Sequence, residues 1–201
     1  MDDRELDSCI KSFKRTGDNL YYEKIFRYFF SRILRFVLLN ISDRHLAEDI
    51  TVDVFYRVYR HMPQLNLDSA RFKAWVYKIA RNLIIDYHRK AGRQQENLSF
   101  QQYMEENQPD YLDKGGIIED KPIENSPIPN SIDGSITPEF NDQNLLNSLD
   151  KLPEIQKQVI ILRFVEELDY RTIGTIVGKS EMTVRAIKFR AIMRLKELLI
   201  K

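Results

Sequence analysis

The feature that most constrains this chain lies near its end. Between Leu168 and Leu199 an apolar pattern runs through Leu168, Ile173, Ile176 and Val177, breaks at Gly178-Lys179-Ser180, and resumes at Met182, Val184, Ile187, Ala191, Leu195 and Leu198. The three- and four-residue spacings on either side of a glycine predict helix, tight turn, helix. Such a unit needs a small residue where the helices approach, a glycine able to take positive φ in the turn, and an apolar residue inside the second helix. Gly174, Gly178 and Val184 meet those needs in order, and Ser180 is placed to cap the second helix. Val184, Ile187, Ala191 and Leu195 then turn inward, which leaves Glu181, Arg185 and Lys188 on the opposite face with Arg190 and Arg194 on its flank.

A helix carrying such groups suits a DNA major groove, where bases are read by hydrogen bonds and phosphates are held by cations. An ordinary helical hairpin with a solvated charged face would share the pattern. The Gly178-Lys179-Ser180 run resembles the end of a phosphate-binding loop, but the position that would need the earlier glycine is Ile173, inside a helix. Nucleotide binding is excluded on that ground.

Charge is distributed unevenly. Residues 1–92 carry 17 basic and 12 acidic side chains, residues 93–142 carry 3 and 11, and residues 143–201 carry 11 and 7. Two basic segments flanking an acidic one fit a nucleic-acid binder with an acidic tether. Five of the seven prolines and three of the seven glycines fall in the acidic segment, which shows no sustained period and is expected to be a flexible linker. A lone Cys9 excludes an internal disulfide, and His45, His61 and His88 are too scattered for a Cys/His zinc site. No cofactor is expected. The greasiest run, residues 25–41, is interrupted by Arg27, Arg32 and Arg35, and the first residues lack signal-peptide character. A cytoplasmic chain without membrane insertion is expected.

In order, residues 1–19 read as a polar stretch with a turn at Gly17-Asp18-Asn19. Helices follow over about 20–40, burying Phe26, Phe29, Phe30, Ile33 and Val37; over about 43–62, capped by Ser42 and closed by Pro63; and over about 69–90, capped by Asp68 or Ser69. The second of these carries Asp49, Val52, Asp53, Tyr56 and Arg60 on one face, a mixture of carboxylates, apolar groups and an aromatic ring suited to a protein partner. A metal site built from His45, Glu48, Asp49 and Asp53 is a remote enzymatic alternative, without the second ligand cluster that helical-bundle metal sites use. The third pairs a core stripe of Phe72, Val76, Ile79, Leu83 and Tyr87 with a face of Arg71, Trp75, Lys78, Asn82, Ile85 and Arg89. Cations interleaved with a ring on which bases stack fit single-stranded nucleic acid, unless Trp75 is simply a packing residue. The last segment adds a helix opened by Pro153 and ending near Phe164. The fold class is all-α: two small helical domains, 1–92 and 143–201, joined by a linker over 93–142.

Residues 47–55 (Ala-Glu-Asp-Ile-Thr-Val-Asp-Val-Phe), residues 72–83 (Phe-Lys-Ala-Trp-Val-Tyr-Lys-Ile-Ala-Arg-Asn-Leu) with Asp86 and Arg89, Leu152-Pro153 and the terminal helix-turn-helix together resemble an extracytoplasmic-function (group IV) sigma factor of bacterial RNA polymerase. The resemblance covers about residues 20–89 and 145–199 and implies sigma regions 2 and 4, with no chemistry of the chain's own. It implies that Asp49, Val52, Asp53, Tyr56 and Arg60 bind the polymerase core. It implies that the loop over residues 63–69 and the helix bearing Arg71, Lys73, Trp75, Lys78, Arg81, Asn82 and Arg89 recognise the minus-ten element and hold its melted strand. It also implies that Arg171, Thr172, Ser180, Glu181, Thr183, Arg185, Lys188 and Arg190 read the minus-thirty-five element as duplex. An anti-sigma factor is a further implied partner, and the implied role is transcription initiation and its regulation in stress response. Val52 stands where the family often has Gln, and Ile187, Lys188 and Phe189 depart from its usual recognition helix, so the promoter consensus does not carry over. A free-standing helix-turn-helix regulator is the alternative, but it would have no use for the face around Asp49.

Overall fold

A computed structural model describes residues 1–92 and 143–200, and the linker expectation falls outside them. Every regular element among the described residues is helical. The first half holds α1 (Asp3–Thr16), α2 (Asn19–Leu38), α3 (Arg44–His61), a short 3₁₀ turn (Met62–Gln64) and α4 (Ser69–Gly92). The second holds α5 (Gln143–Asp150), α6 (Glu154–Ile160), a π-helical turn (Ile161–Val165), α7 (Tyr170–Val177) and α8 (Glu181–Leu199).

The stretch read as polar contains α1. Asp2 caps it by accepting from the Glu5 amide at 2.8 Å, and Gly17, at φ 67°, ends it. Its charged sequence hides a narrow stripe, Leu6, Cys9, Ile10 and Phe13, all buried. α1 also ties down the start of α4: Asp7 accepts from the Ser69 amide at 2.5 Å, and Asp3 pairs with Lys73. The caps of the next helices are aspartates. Asp43, rather than Ser42, accepts from the Leu46 amide at 3.1 Å to start α3, and Asp68 accepts from the Arg71 amide at 2.8 Å at the start of α4.

Aromatic packing dominates the first half. Phe26 lies against Phe55 at 4.7 Å and Phe36 against Tyr77 at 5.6 Å, both edge-on. Buried Tyr22 donates its hydroxyl to the Phe55 carbonyl at 2.6 Å. The apolar core does not stop at the domain boundary: Val159, Ile161, Leu162, Ile173, Ile176 and Val177 of the second half belong to the same cluster as Phe72, Val76 and Ile84. α7 packs on α4, and the two halves are docked. A smaller cluster of Leu149, Leu152, Ile160, Ala191 and Leu195 joins α5, α6 and the far end of α8.

Candidate nucleic-acid interfaces

The helix-turn-helix forms as its spacing requires. Asp169 caps α7, accepting from the Thr172 amide at 2.9 Å and the Thr172 hydroxyl at 2.8 Å. Burial alone would raise the Asp169 carboxyl, but these bonds and one from the Arg171 amide outweigh it and hold its pKa below the usual value. Gly178 takes φ 68° at the turn. At Gly174 a Cβ would stand 2.6 Å from the Lys179 carbonyl oxygen, so no side chain fits there. Ser180 caps α8, accepting from the Thr183 amide at 3.2 Å, and its hydroxyl lies 2.8 Å from that of Thr183.

On α8 the cations are gathered around one ring. Arg185 stands 4.2 Å and Lys188 5.8 Å from the Tyr170 centroid, with Arg163 at 5.0 Å from another side. Against the upward push of desolvation, Lys188 and then Arg163 bring the Tyr170 hydroxyl below its usual pKa. Arg185 also pairs with Glu181 at 2.6 Å. Arg171 and Arg190 are exposed. Met182, which the apolar spacing grouped with Val184 and Ile187, is 81 % exposed, and Phe189, not among the expected contacts, is 63 % exposed; both stand opposite the buried Val184, Ile187 and Ala191. Large apolar groups held out in water were the signal that could have found them.

α4 is different. Arg71 and Arg89 are exposed, Asn82 is half-buried, and Trp75 is half-buried against Phe72 at 5.7 Å. Lys78, expected on an open basic face, and Arg81, which the resemblance assigns to the melted strand, are each only 8 % exposed. Arg81 donates to Gln158 Oε1 at 2.8 Å. Burial first, and the Arg81 guanidinium second, bring the Lys78 ammonium below its usual pKa.

Beside Arg81 is a pair of contacts the sequence did not disclose. Glu166 has a side chain with no exposure and accepts from Arg35 Nε at 2.9 Å and from the Tyr77 hydroxyl at 2.6 Å. Arg35 Nη2 also donates to the Val165 carbonyl at 3.2 Å. The bond to Glu166 raises the Arg35 pKa, while burial and then the Glu166 charge push that of Tyr77 well up, so the phenol stays a donor.

On α3, Asp49 and Arg60 are exposed and Val52, Asp53 and Tyr56 half-buried. Arg57 holds Asp53 through two bonds at 3.0 and 3.1 Å, and Arg44 holds Glu48 at 2.9 Å, so two of the three acids of the metal alternative are engaged by arginines. Among the described residues no three His, Cys, Asp or Glu converge on a metal position, and no helix is long and apolar enough to cross a membrane.

Family models for sigma-70 region 2 and sigma-70 region 4 match residues 23–94 and 148–197. The chain belongs to the sigma-70 family, in its extracytoplasmic-function branch of RNA polymerase sigma factors. Among similar proteins, the ECF RNA polymerase sigma factor SigM of Bacillus subtilis is 27% identical over 176 residues, covering 88% of this chain and 93% of that protein. The fold matches the sigma factor RpoE in complex with the anti-sigma factor NepR from Bartonella quintana, at 22% identity and TM-score 0.61, over 89% of this chain and 96% of that one. It also matches CnrH in complex with the cytosolic domain of CnrY, at 14% identity and TM-score 0.62, over 96% of this chain and 97% of that one.

Proposed function

We propose that this sigma factor reads the minus-thirty-five element as duplex with α8 and holds the melted minus-ten strand on α4, after α3 has attached it to the polymerase core. The observation that carries the reading is the capped, glycine-turned α7–α8 pair with Arg185 and Lys188 gathered over Tyr170. Arg171, Thr172, Ser180, Thr183 and Arg190 supply neighbouring polar groups and Glu181 holds Arg185, while Met182 and Phe189 offer apolar contacts to thymine methyl groups. On α4 the roles fall to Arg71, Lys73, Trp75, Asn82 and Arg89, joined by Lys78 and Arg81 once the second half has moved off them. Asp49, Val52, Asp53, Tyr56 and Arg60 form the polymerase contact. The likeness to the sigma factor RpoE, solved in complex with the anti-sigma factor NepR, supports an anti-sigma partner for this chain also.

Free protein should bind DNA weakly and lose affinity steeply with salt, because each element offers few phosphate contacts. On polymerase the two halves are held at one spacing and each raises the effective concentration of the other. Size-exclusion chromatography with sigma-free core polymerase tests the attachment: comigration at one to one, lost in Asp49→Lys, is expected. Permanganate footprinting of the resulting holoenzyme on promoter DNA tests the rest. Melting that is unaffected by Trp75→Ala together with Asn82→Ala would remove α4 from the account.

A further inference from the structure

The contact between the halves is built on an unusual choice of residue. A fully desolvated carboxylate is costly, and an apolar side chain of similar volume holds two helical surfaces together at least as well. Glu166 is nonetheless there, on Arg35 Nε and the Tyr77 hydroxyl, with Tyr77 one helical turn before Arg81 on α4. Arg32 is close enough for its charge to act on the Tyr77 hydroxyl as well. What the first half presents under Glu166 is a guanidinium edge and a phenol O–H converging on two oxygens, within a field of cations. That arrangement binds any tetrahedral or planar oxyanion, and a backbone phosphodiester is one.

We propose that Arg35 and Tyr77 form a phosphate site for the melted strand, and that Glu166 occupies it as an internal anion while the halves are docked. The proposal rests on the reading of α4 as the strand-holding helix and extends it to a residue of α2. Docking and strand binding then compete for one surface. A single strand exchanges one carboxylate for a row of phosphates that also reach Lys78 and Arg81, so DNA can displace Glu166 although neither contact alone is strong. Outside a polymerase complex the carboxylate holds the site, and the free chain binds single strands only weakly.

The test uses the full chain and a fluorescein-labelled single-stranded oligonucleotide at low salt. Glu166→Gln keeps the shape and removes the charge, and it should tighten binding about tenfold, as expected if roughly nine molecules in ten are docked beforehand. Adding Arg35→Ala to Glu166→Gln should weaken binding several-fold and lower the slope of log K against log salt by about 0.7, the share of one phosphate on a single strand. Tyr77→Phe keeps the ring against Phe36 and removes only the hydroxyl, so in the Glu166→Gln background it should also weaken binding. Circular dichroism melts confirm that each variant is folded. Unchanged affinity in Glu166→Gln, or equal affinity and slope with and without Arg35, overturns the phosphate site. Holoenzyme on forked promoter DNA separates this from the parent reading. If Trp75→Ala with Asn82→Ala leaves forked-DNA binding intact, the assignment of a melted strand falls, whatever the oligonucleotide result.

Discussion

α4 and α8 carry the same kind of surface and sit in opposite conditions. Both are long helices with an apolar stripe behind and cations in front. On α8 the cations gather around Tyr170 at the surface, whereas on α4 Lys78 and Arg81 are buried, Arg81 against Gln158 of the second half. The helix proposed to read duplex is open, and the helix proposed to hold the melted strand is partly shut. A basic helical face therefore says what a surface can bind and says nothing about when it is available, which is decided by what packs over it from elsewhere in the chain.

The largest way to break the comparison is to destroy the open face. Gly174→Ala puts a methyl carbon 2.6 Å from a backbone oxygen that cannot swing aside, so the α7–α8 turn must shift. A loss of about 2–3 kcal/mol is expected in denaturant unfolding, together with loss of upstream duplex binding by the holoenzyme. Arg81→Ala acts on the shut face. It leaves buried Gln158 without its donor partner, costing about 1–3 kcal/mol, and should loosen the docking. Small-angle scattering would then show a larger radius of gyration, and an unchanged radius would mean that Arg81 is not part of what holds the halves.

Arg185→Ala sharpens the contrast, because an exposed residue should move binding and not folding. Discrimination at one upstream base pair should fall by about 1–3 kcal/mol in competition binding by the holoenzyme. The free energy of unfolding of the isolated chain should change by no more than about 0.5 kcal/mol, as is typical of surface changes. The smallest effect is at Asp169→Ala, about 1 kcal/mol for a lost helix cap. A carboxyl whose pKa is depressed in the folded chain is protonated first in the unfolded chain as pH falls. The cap's contribution is therefore whole above about pH 4 and is lost below it. Unfolding curves taken between pH 6 and pH 3 should converge for the two proteins at the acid end.

Much of this was legible from local spacing. Gly174, Gly178, Ser180 and Val184 do their work within a few residues of themselves, so pattern alone placed them. The face around Asp49 was read in the same way, and of its five residues Asp49 and Arg60 stand exposed. α1 was not, since its stripe of Leu6, Cys9, Ile10 and Phe13 is diluted by charges until average polarity hides the period. The cap of α3 was misassigned by one residue because Ser42 and Asp43 both qualify and only backbone geometry chooses. The burial of Arg81 was not legible at all: its partner Gln158 lies 77 residues away in the chain. Glu166 looked like any acid at a helix end.

How Glu166 came to face inward leads to the π-helical turn. From Ile161 to Val165 the backbone takes a wider turn, and the Glu166 amide reaches back to the Ile161 carbonyl at 3.1 Å. Such a turn is an α-helix with one residue too many. Removing that residue restores ordinary winding and swings whatever follows by about 100°, which would carry the carboxylate off Arg35 and Tyr77. A shut and an open form of this architecture are thus separated by one codon, a short evolutionary step between a factor that guards itself and one that leaves the guarding to others.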